Sequence, residues 1–422
     1  MTKTSPPQIV TFGCRLNSYE SEVIRDILKD NKCSDEVIVF NTCGVTAEAE
    51  RQARQAIRKA RREKPQARII VTGCAVQMNS EPYVAMREID LILGNQEKLD
   101  PQSYASLLNP SSERLLVNDI MSVQETALHM ISGLEDRVRA FLQVQNGCDH
   151  RCTFCRIPFG RGNNRSVPIG QIVQTIQHLM ENNVQEIVLT GVDITDYGKD
   201  LPGKPSLGEM ITRVLNLVPS LKRLRLSSLD PVEVDETLLK LIVSDERILP
   251  HIHISLQAGN DLILKRMKRR HLRQDVIDFC HTVRAARPDV VFGADIIAGF
   301  PTESEDMFLD SLRIVDECDL TFLHIFPFSA HKETPASRMP QVSSHAIKER
   351  AKRLRDKGTQ KLSAYLDTQI GKSIEVLLEK DNSGHTRTFA QAQVEGPSFS
   401  RGQIVTGTGQ SHNGKTIKVH VS

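Results

Sequence analysis

The sequence predicts an α/β protein in three parts: an N-terminal parallel α/β domain, a central partial or complete (β/α) barrel, and a small C-terminal all-β barrel. Apolar strands alternate with helical stretches over the first hundred residues, a pattern typical of a parallel sheet covered by helices. Six further strand and helix repeats follow, which favours an α/β barrel. The last segment is rich in Gly, Thr and Val in short alternating runs, which indicates antiparallel strands. A chain of 422 residues is too long for one ordinary core.

We place the N-terminal domain at residues 1–100 and a linker at 101–135. Its strands are predicted at Ile9–Phe12, Val37–Phe40, Ile69–Thr72 and Leu91–Leu93, and its helices at Ser18–Leu28 and Thr46–Glu63. Thr46 is a candidate N-cap, because Glu48 and Glu50 occupy the first turn after it.

The barrel domain is predicted to begin near Asp136 and to cover residues 136–342. Its strands are predicted at Ala140–Val144, Ile187–Thr190, Leu224–Ser227, Ile252–Ser255, Phe292–Ile297 and Leu323–Phe326. Its helices are predicted at Ile169–Glu181, Leu207–Leu217, Glu236–Val243, Arg273–Ala286 and Glu305–Cys318. A charged helix, Ser343–Leu366, fills most of a connecting segment at 343–370. The small β-barrel occupies 371–422, with alternating runs at Ile374–Leu378 and Ile417–Val421.

Composition narrows the functional class. No run of about 18 apolar residues is present and the first residues carry no apolar core, so neither a membrane span nor a secretory signal is expected. The net charge of +2 requires any nucleic-acid affinity to come from local patches. Nine cysteines, an odd number in a long chain, argue against a disulfide framework and favour metal-bound thiolates in a reducing cytoplasm. Cys280 and Cys318 are expected to be buried apolar groups, and Cys33, in a polar turn, to have no special role.

Three further cysteines lie on one short loop. Cys148, Cys152 and Cys155 have the spacing C-x3-C-x2-C, and the loop follows the first predicted barrel strand. Barrel active sites lie at the C-terminal ends of strands. Zinc and ferredoxin-type clusters normally take four protein ligands, but no fourth cysteine follows nearby. A [4Fe–4S] cluster held by three thiolates leaves one iron open, which favours chemistry over a structural role.

A second set of cysteines shares a position in the N-terminal domain. Cys14, Cys43 and Cys74 each follow the end of a predicted strand. Because parallel strands end at the same edge of a sheet, the three thiols can meet, and Gly13 and Gly73 would let the backbone approach a bulky cluster. The alternatives to a cluster site are a zinc site and three unrelated buried cysteines.

Taken together, these residues resemble the methylthiotransferases of the radical S-adenosylmethionine superfamily, over essentially the whole chain. In that family a cluster domain precedes a radical S-adenosylmethionine barrel and a C-terminal TRAM domain. Further matching stretches are Gly160-Arg161-Gly162, Thr190-Gly191-Val192-Asp193, His253–Gly259, Asp295–Pro301 and Phe326–Ser329.

The neighbourhood of Cys14 separates the branches of this family. The stretch Cys14-Arg15-Leu16-Asn17 resembles the branch that acts on tRNA N6-threonylcarbamoyladenosine beside the anticodon. The isopentenyladenosine branch usually has Gln-Met-Asn after the cysteine, and the branch that modifies a ribosomal-protein aspartate has Pro-Lys-Asn. Two features depart from the family: Arg156 replaces an aliphatic residue, and Asn163-Asn164 replaces Pro-Ser.

The resemblance implies two [4Fe–4S] clusters and S-adenosylmethionine as cofactors. Cys148, Cys152 and Cys155 would hold the cluster that binds and reductively cleaves S-adenosylmethionine, giving a 5′-deoxyadenosyl radical that removes hydrogen from C2 of the adenine ring. Cys14, Cys43 and Cys74 would hold the second cluster, which carries the sulfur that is methylated and transferred. The cofactors supply the difficult chemistry and the protein supplies placement.

Further site residues are expected at the strand ends. Phe154 would pack on the cofactor adenine, or is a plain loop hydrophobe. The main chain of Gly191 and Val192 would bind the cofactor amino group, and Asp193 would bind cofactor or substrate and act with the loop cysteines, or would cap a helix. Other polar residues expected at the barrel mouth are Ser227, Ser228, Gln257 and Asp295.

Three groups of basic residues are candidate tRNA contacts. The alternative interpretation is a solvated surface for the first two groups and a structural cap for the C-terminal domain. The helix after Cys43 carries Arg51, Arg54, Arg58, Arg61 and Arg62. A second run, Lys265–Arg270, is expected near the barrel mouth. The C-terminal barrel offers Lys372, Arg387 and Arg401.

The expected partners are tRNA, a low-potential electron donor and a sulfur source. A cytoplasmic monomer without membrane contact is expected. The alternatives are a methylthiotransferase for isopentenyladenosine tRNA or a ribosomal-protein aspartate, and a non-catalytic iron–sulfur protein that binds RNA or carries sulfur.

Overall fold

The computed structural model describes residues 6–29, 36–108, 113–124 and 138–421. Two residues named in the sequence analysis lie outside the described residues. They are Cys33, which is predicted to have no special role, and Asp136, near which the barrel domain is predicted to begin. In the described part of the chain, no helix has both the length and the apolar character that crossing a membrane requires.

The N-terminal domain is a parallel sheet in the order β1-β2-β3-β4-β5. Its strands are β1 (Gln8–Thr11), β2 (Val37–Thr42), β3 (Arg68–Gly73), β4 (Leu91–Leu93) and β5 (Leu115–Leu116). Its helices are α1 (Arg15–Lys29), α2 (Ala47–Glu63), α3 (Cys74–Met78) and α4 (Glu81–Val84). Every residue of β2 is buried, as expected for a strand covered on both faces. The predicted parallel α/β domain is confirmed.

Local sequence signals set the start of α2 but not the last strand of the sheet. Thr46 caps α2, since its side-chain oxygen accepts a hydrogen bond from the amide of Ala49 at 3.2 Å. Strand β5 lies within 101–135, where a linker is predicted. Only Leu115 and Leu116 form it, and a pair of half-buried leucines carries no periodic signal.

The central domain is a partial barrel. Its elements begin with β6 (Arg139–Gln143), β7 (Gln145–Asn146), α5 (Ile157–Arg161), β8 (Arg165–Ser166), α6 (Ile169–Glu181), β9 (Glu186–Thr190), α7 (Leu207–Leu217), β10 (Leu224–Leu226) and α8 (Glu236–Ser244). They continue with β11 (His251–Gln257), α9 (Asp261–Met267), α10 (Arg273–Ala286), β12 (Val291–Ala298), α11 (Glu305–Glu317) and β13 (Leu320–Pro327). The strand order is β6-β9-β10-β11-β12-β13, and single-residue pairings of Leu224 with Ile248 and Leu229 with Ile254 join the two halves.

Helix α1 covers one open edge of this barrel. Among the described residues no strand pairing joins β6 to β13, so the barrel is open between them. Tyr19 and Val23 of α1 belong to the barrel core, beside Ala140 and Leu142 of β6. Cys280 and Cys318 are also fully buried in that core, as predicted. The first helix of the N-terminal domain is therefore part of the hydrophobic core of the second.

The C-terminal domain is a closed five-stranded barrel that follows the long helix α12 (Ser344–Asp367). Its strands are β14 (Ser373–Lys380), β15 (Ser383–Thr386), β16 (Gln391–Glu395), β17 (Ile404–His412) and β18 (Thr416–His420), in the order β14-β15-β16-β18-β17. The predicted small β-barrel is confirmed, but the prediction that it is antiparallel throughout is wrong, because β16 and β18 pair in parallel, with Ala392 opposite Ile417. An alternating pattern shows which face of a strand is buried but not its direction.

The C-terminal barrel closes the end of the central barrel at which the strands begin. Glu186, the first residue of β9, accepts hydrogen bonds from Arg223 at 2.9 Å and from Arg225 at 2.7 Å, and all three side chains are buried. Arg223 also pairs with Glu375 of β14. Burial alone would raise the pKa of Glu186, but Arg225 and Arg223 lower it to about 2.

Replacing Glu186 by Gln should lower the free energy of unfolding by about 3 kcal/mol, because Arg225 would remain buried without a carboxylate and Arg223 would keep only Glu375. Urea denaturation measures the change. The matched control is Glu395→Gln, since Glu395 pairs with Lys418 on the surface at 3.0 Å and should contribute less than about 1 kcal/mol. Because the folded pKa of Glu186 is depressed, this stabilisation is present above about pH 4.5 and is lost as the pH falls through about 2. Equal losses in the two variants at neutral pH would contradict the structural role of Glu186.

Candidate active site and metal centres

The loop with three cysteines lies between β7 and α5. The amide of Cys148 donates to the carbonyl of Gly162 at 3.1 Å, and the amide of Ile157 donates to Sγ of Cys155 at 3.4 Å. Burial is the main cause that raises the pKa of the Cys148 thiol. Burial likewise raises the pKa of Cys155 to about 12, and neighbouring thiols add to both shifts. The thiols of Cys148 and Cys155 would be stabilised as thiolates by a shared cation, as a metal cluster provides.

A second segment of the barrel anchors this loop. Thr153 donates from its amide to the carbonyl of Met267 at 3.0 Å and from its hydroxyl to the carbonyl of Arg266 at 2.7 Å. Arg269 directs Nη1 at Sγ of Cys152, at 3.6 Å. The predicted basic run therefore does reach the barrel mouth, and Arg269 places a positive charge beside one candidate metal ligand.

The second cysteine set lies at one edge of the N-terminal sheet, as predicted. Cys14, Cys43 and Cys74 follow β1, β2 and β3, and burial, together with Cys74 and Cys14, raises the pKa of Cys43 to about 12. Gly13 and Gly73 have φ values of +97° and +103°, where side chains are strained. A Cβ on Gly13 would lie 2.8 Å from Sγ of Cys43. The backbone thus approaches these thiols as closely as a cradle for a cluster requires.

Arg161 connects the two cysteine sets. It ends α5 of the barrel, yet its Nε donates to Sγ of Cys74 at 3.1 Å and its Nη2 donates to Oδ1 of Asn17 at 2.5 Å. It also pairs with Glu20 of α1, which Lys98 contacts at 2.7 Å. All of these side chains are buried. The motif around Arg161 is part of the family resemblance, but its spacing did not indicate this contact.

The side chains around Cys74 carry a net positive charge. Arg161 and Lys98 are two cations against the single carboxylate of Glu20, so the buried group has a net positive charge next to Sγ of Cys74. Burial alone would raise the pKa of Glu20, but Arg161 and Lys98 hold it below its usual value. A thiolate at Cys74 would neutralise the remaining charge, which fits a metal ligand at this position.

The strand-end loop after β9 faces the cysteine loop. The amides of Val192 and Asp193 both donate to Oε1 of Gln145 at 2.9 Å, so Gln145, which the sequence reasoning missed, holds the loop in place. Ligand atoms of Cys148, His150 and Asp193 lie within 4.8 Å of one another. Asp193 makes no side-chain capping bond to the short helical turn that follows it, so the helix-cap alternative finds no support.

The other candidate residues are distributed around the barrel. Phe154 packs edge-on against Phe300, with ring centroids 6.4 Å apart, in a small apolar cluster. In the described structure, the side chains of Ser227, Ser228 and Gln257 have no hydrogen-bond partner and remain available to a ligand. Asp295 accepts from His253 and His324 inside the barrel, at 2.9 and 3.2 Å.

Most of the basic residues on α2 have acidic partners. The pairs are Arg51 with Glu48, Arg54 with Glu50, Arg58 with Glu88 and Arg61 with Asp90. Arg61 also donates to the carbonyl of Ala67 at 2.8 Å, which gives it a structural role, whereas Arg62 is exposed.

In the C-terminal barrel, Lys372 and Arg401 are exposed. Arg387 donates to the carbonyl of Glu246 at 2.7 Å, so it contacts the central barrel. Of the three candidates there, Lys372 and Arg401 present the free surfaces.

Comparison with known proteins defines the class. Residues 142–315 match the Radical SAM superfamily, and residues 7–94 match Uncharacterized protein family UPF0004. A solved structure of the radical S-adenosylmethionine methyltransferase TsrM from Kitasatospora setae, with cobalamin and a [4Fe-4S] cluster bound, shares the fold with a TM-score of 0.56 at 14% identity, over 76% of this chain and 69% of that chain.

Two curated relatives narrow the class to a family. Threonylcarbamoyladenosine tRNA methylthiotransferase MtaB of Rickettsia prowazekii (strain Madrid E) is 53% identical over 92% of this chain and 91% of the relative. A tRNA-2-methylthio-N(6)-dimethylallyladenosine synthase of Ruegeria pomeroyi (strain ATCC 700808 / DSM 15171 / DSS-3) is 30% identical over 94% of both chains. The chain belongs to the methylthiotransferase family of radical S-adenosylmethionine enzymes.

Arg156, where the sequence departs from the family, joins the two domains. Its Nη1 donates to the carbonyl of Gly44 at 3.1 Å and to Glu50 at 2.7 Å. Replacing Arg156 by Ile, the kind of residue that is usual in the family, should speed amide hydrogen exchange in residues 44–50, because those contacts are lost. The control is Arg54→Ala, whose 3.7 Å pair with Glu50 lies within one helix. Unchanged exchange in Arg156→Ile would show that Arg156 does not hold the domains together.

Proposed function

We propose that this chain adds a methylthio group to C2 of N6-threonylcarbamoyladenosine, next to the anticodon of tRNA. The observation that carries the proposal is that the two cysteine sets face one domain interface. Arg156, which follows Cys155, contacts the carbonyl of Gly44, which follows Cys43. Arg161 contacts Sγ of Cys74. One set is thus placed to activate a cofactor within reach of the other.

The residues fit two three-thiolate [4Fe–4S] clusters. Each set offers three cysteines, burial raises the pKa of Cys43 in one set and of Cys148 in the other, and the N-terminal set lies on a glycine cradle beside excess positive charge. Cys148, Cys152 and Cys155 would hold one cluster, and Cys14, Cys43 and Cys74 would hold the other. When bound, the first cluster supplies the electron that cleaves S-adenosylmethionine and the second supplies the sulfur.

The remaining residues would position cofactor and substrate. Gln145 fixes the main chain after β9, and Asp193 lies beside the cysteine loop, where it can accept from an amino group. The unpartnered side chains of Ser227, Ser228 and Gln257 can accept or donate at the barrel mouth. Adenine C2 carries an unactivated hydrogen that no side-chain base could remove as a proton, so the protein contributes placement and exclusion of water.

The choice of substrate rests on similarity. The relative at 53% identity is named for threonylcarbamoyladenosine, while the relative named for dimethylallyladenosine is 30% identical. Mass spectrometry of tRNA nucleosides from a strain lacking the gene tests the choice. The methylthio derivative of threonylcarbamoyladenosine should disappear and should return with the gene, whereas loss of the isopentenyl derivative alone would overturn it.

Replacing Cys152 by Ala should remove one cluster only. Iron content should fall by about half, and formation of 5′-deoxyadenosine from S-adenosylmethionine should stop, because an open-site cluster has no spare protein ligand. Iron assay and product chromatography measure both. Cys280→Ala, far from either set in the barrel core, is the control for iron content. Undiminished cleavage in Cys152→Ala would contradict the assignment of this loop.

Replacing Cys43 by Ala should separate cleavage from transfer. The barrel cluster should remain, because its ligands lie on the other domain, and some cleavage of S-adenosylmethionine should persist. Methylthiolated tRNA should not form. Normal amounts of methylthiolated product in this variant would mean that the N-terminal cysteines do not deliver sulfur.

A further inference from the structure

Arg15 follows Cys14 and points from α1 toward the gap between β6 and β13. Its guanidinium lies 5.6 Å from the ring centroid of Phe389, a residue of the C-terminal barrel. The guanidinium groups of Arg139 and Arg225 lie over the same ring, at 5.2 and 4.8 Å. Arg15 therefore lies among the charged groups of the barrel interior, one residue from a candidate metal ligand.

Arg15 differs from the other cations there because it has no anion. Arg225 pairs with Glu186 at 2.7 Å, and Arg139 pairs with Glu379 at 3.2 Å. Throughout the residues that the structure describes, the Arg15 guanidinium makes no hydrogen bond and no ion pair. A guanidinium that is half-buried beside other cations and lacks a partner is unfavourable, and an incoming carboxylate or phosphate would relieve that cost.

Other polar atoms around Phe389 also lack partners. His251 is 2% exposed, its ring centroid lies 5.2 Å from that of Phe389, and neither of its ring nitrogens has a hydrogen-bond partner. Nη1 of Arg139 is likewise buried without a partner. The pKa of His251 is well below its usual value because of burial and nearby cations, so its ring is neutral and offers one donor and one acceptor. These unpartnered polar atoms lie against the same ring as the Arg15 guanidinium.

Solvent reaches this interior from the side of β13. His324 of β13 contacts Asp295 at 3.2 Å, yet its side chain is 57% exposed. The rings of His324 and His253 lie 4.7 Å apart and those of His253 and His251 lie 6.3 Å apart, so the exposed His324 is the outer end of a row of rings that leads to the group around Arg15.

We propose that Arg15 binds the carboxylate of the threonyl group of the substrate and so selects threonylcarbamoyladenosine over adenosines with apolar N6 groups. This inference rests on the proposed function. The threonylcarbamoyl group ends in a carboxylate, which a guanidinium binds through two parallel hydrogen bonds. An isopentenyl group has no atom that accepts a hydrogen bond, so it would leave the Arg15 guanidinium without a partner, which disfavours its binding.

The test compares two anticodon stem-loop RNAs, one with threonylcarbamoyladenosine and one in which the threonyl carboxylate is an amide. Fluorescence titration measures the affinity of the iron-loaded full-length protein for each, for wild type, Arg15→Gln and Arg15→Lys. The control is Arg25→Gln, a half-buried position on the same helix whose partner is Glu22. Wild type should prefer the carboxylate about 10- to 100-fold, and Arg15→Gln should lose that preference. Arg15→Lys should keep part of it, and Arg25→Gln should keep all of it.

The outcomes separate this inference from the proposed function. An equal preference in wild type and Arg15→Gln overturns the role of Arg15, and so does equal weakening of both RNAs, which would indicate a phosphate contact. No preference in wild type also overturns it. If wild type forms no methylthio product on the threonylcarbamoyl RNA but does so on an isopentenyl RNA, then the proposed function itself is wrong.

Discussion

Glu20, on the first helix of the N-terminal domain, is bound by Lys98 of its own domain and by Arg161 of the barrel, and none of the three side chains is accessible to solvent. Breaking such a buried pair costs about 3–5 kcal/mol, so the group fixes how the two domains meet. Because Arg161 also contacts Cys74, the same group determines where the N-terminal thiols lie relative to the barrel. The contacts that hold the two domains together therefore also assemble the active site.

The C-terminal barrel belongs to the same unit. It covers the starts of the central barrel strands through Glu375, Glu379 and Phe389. The backbone of Phe389 has a φ of +71°, and three guanidinium groups lie within 5.6 Å of its ring. Removing this domain would expose the buried group around Glu186, so it cannot be treated as a detachable RNA-binding module. Its exposed basic residues include Lys372 and Arg401.

Local patterns in the sequence predict most of the fold. Ile169–Glu181, Leu207–Leu217 and Arg273–Ala286 are helices with the predicted bounds, because each has an uninterrupted apolar period. Strand β5 and the parallel pairing of β16 with β18 depend on contacts distant in sequence, and no local pattern carries them. The N-terminal cysteine set can be predicted because parallel strands end at one edge of a sheet, and the barrel set because its three cysteines lie on one short loop. The roles of Gln145, Arg161 and Arg15 cannot be predicted from local sequence patterns, since each residue acts on a residue of another segment or domain.

Electron paramagnetic resonance on the reduced, iron-loaded protein tests most directly whether the two cysteine sets form one site. Spectra of wild type are compared with the sum of spectra from variants that each retain one set. Two clusters at a shared interface should interact, so the wild-type spectrum should show splitting or broadening that the sum lacks. A wild-type spectrum equal to the sum would place the clusters too far apart for transfer across this interface and would contradict the shared site.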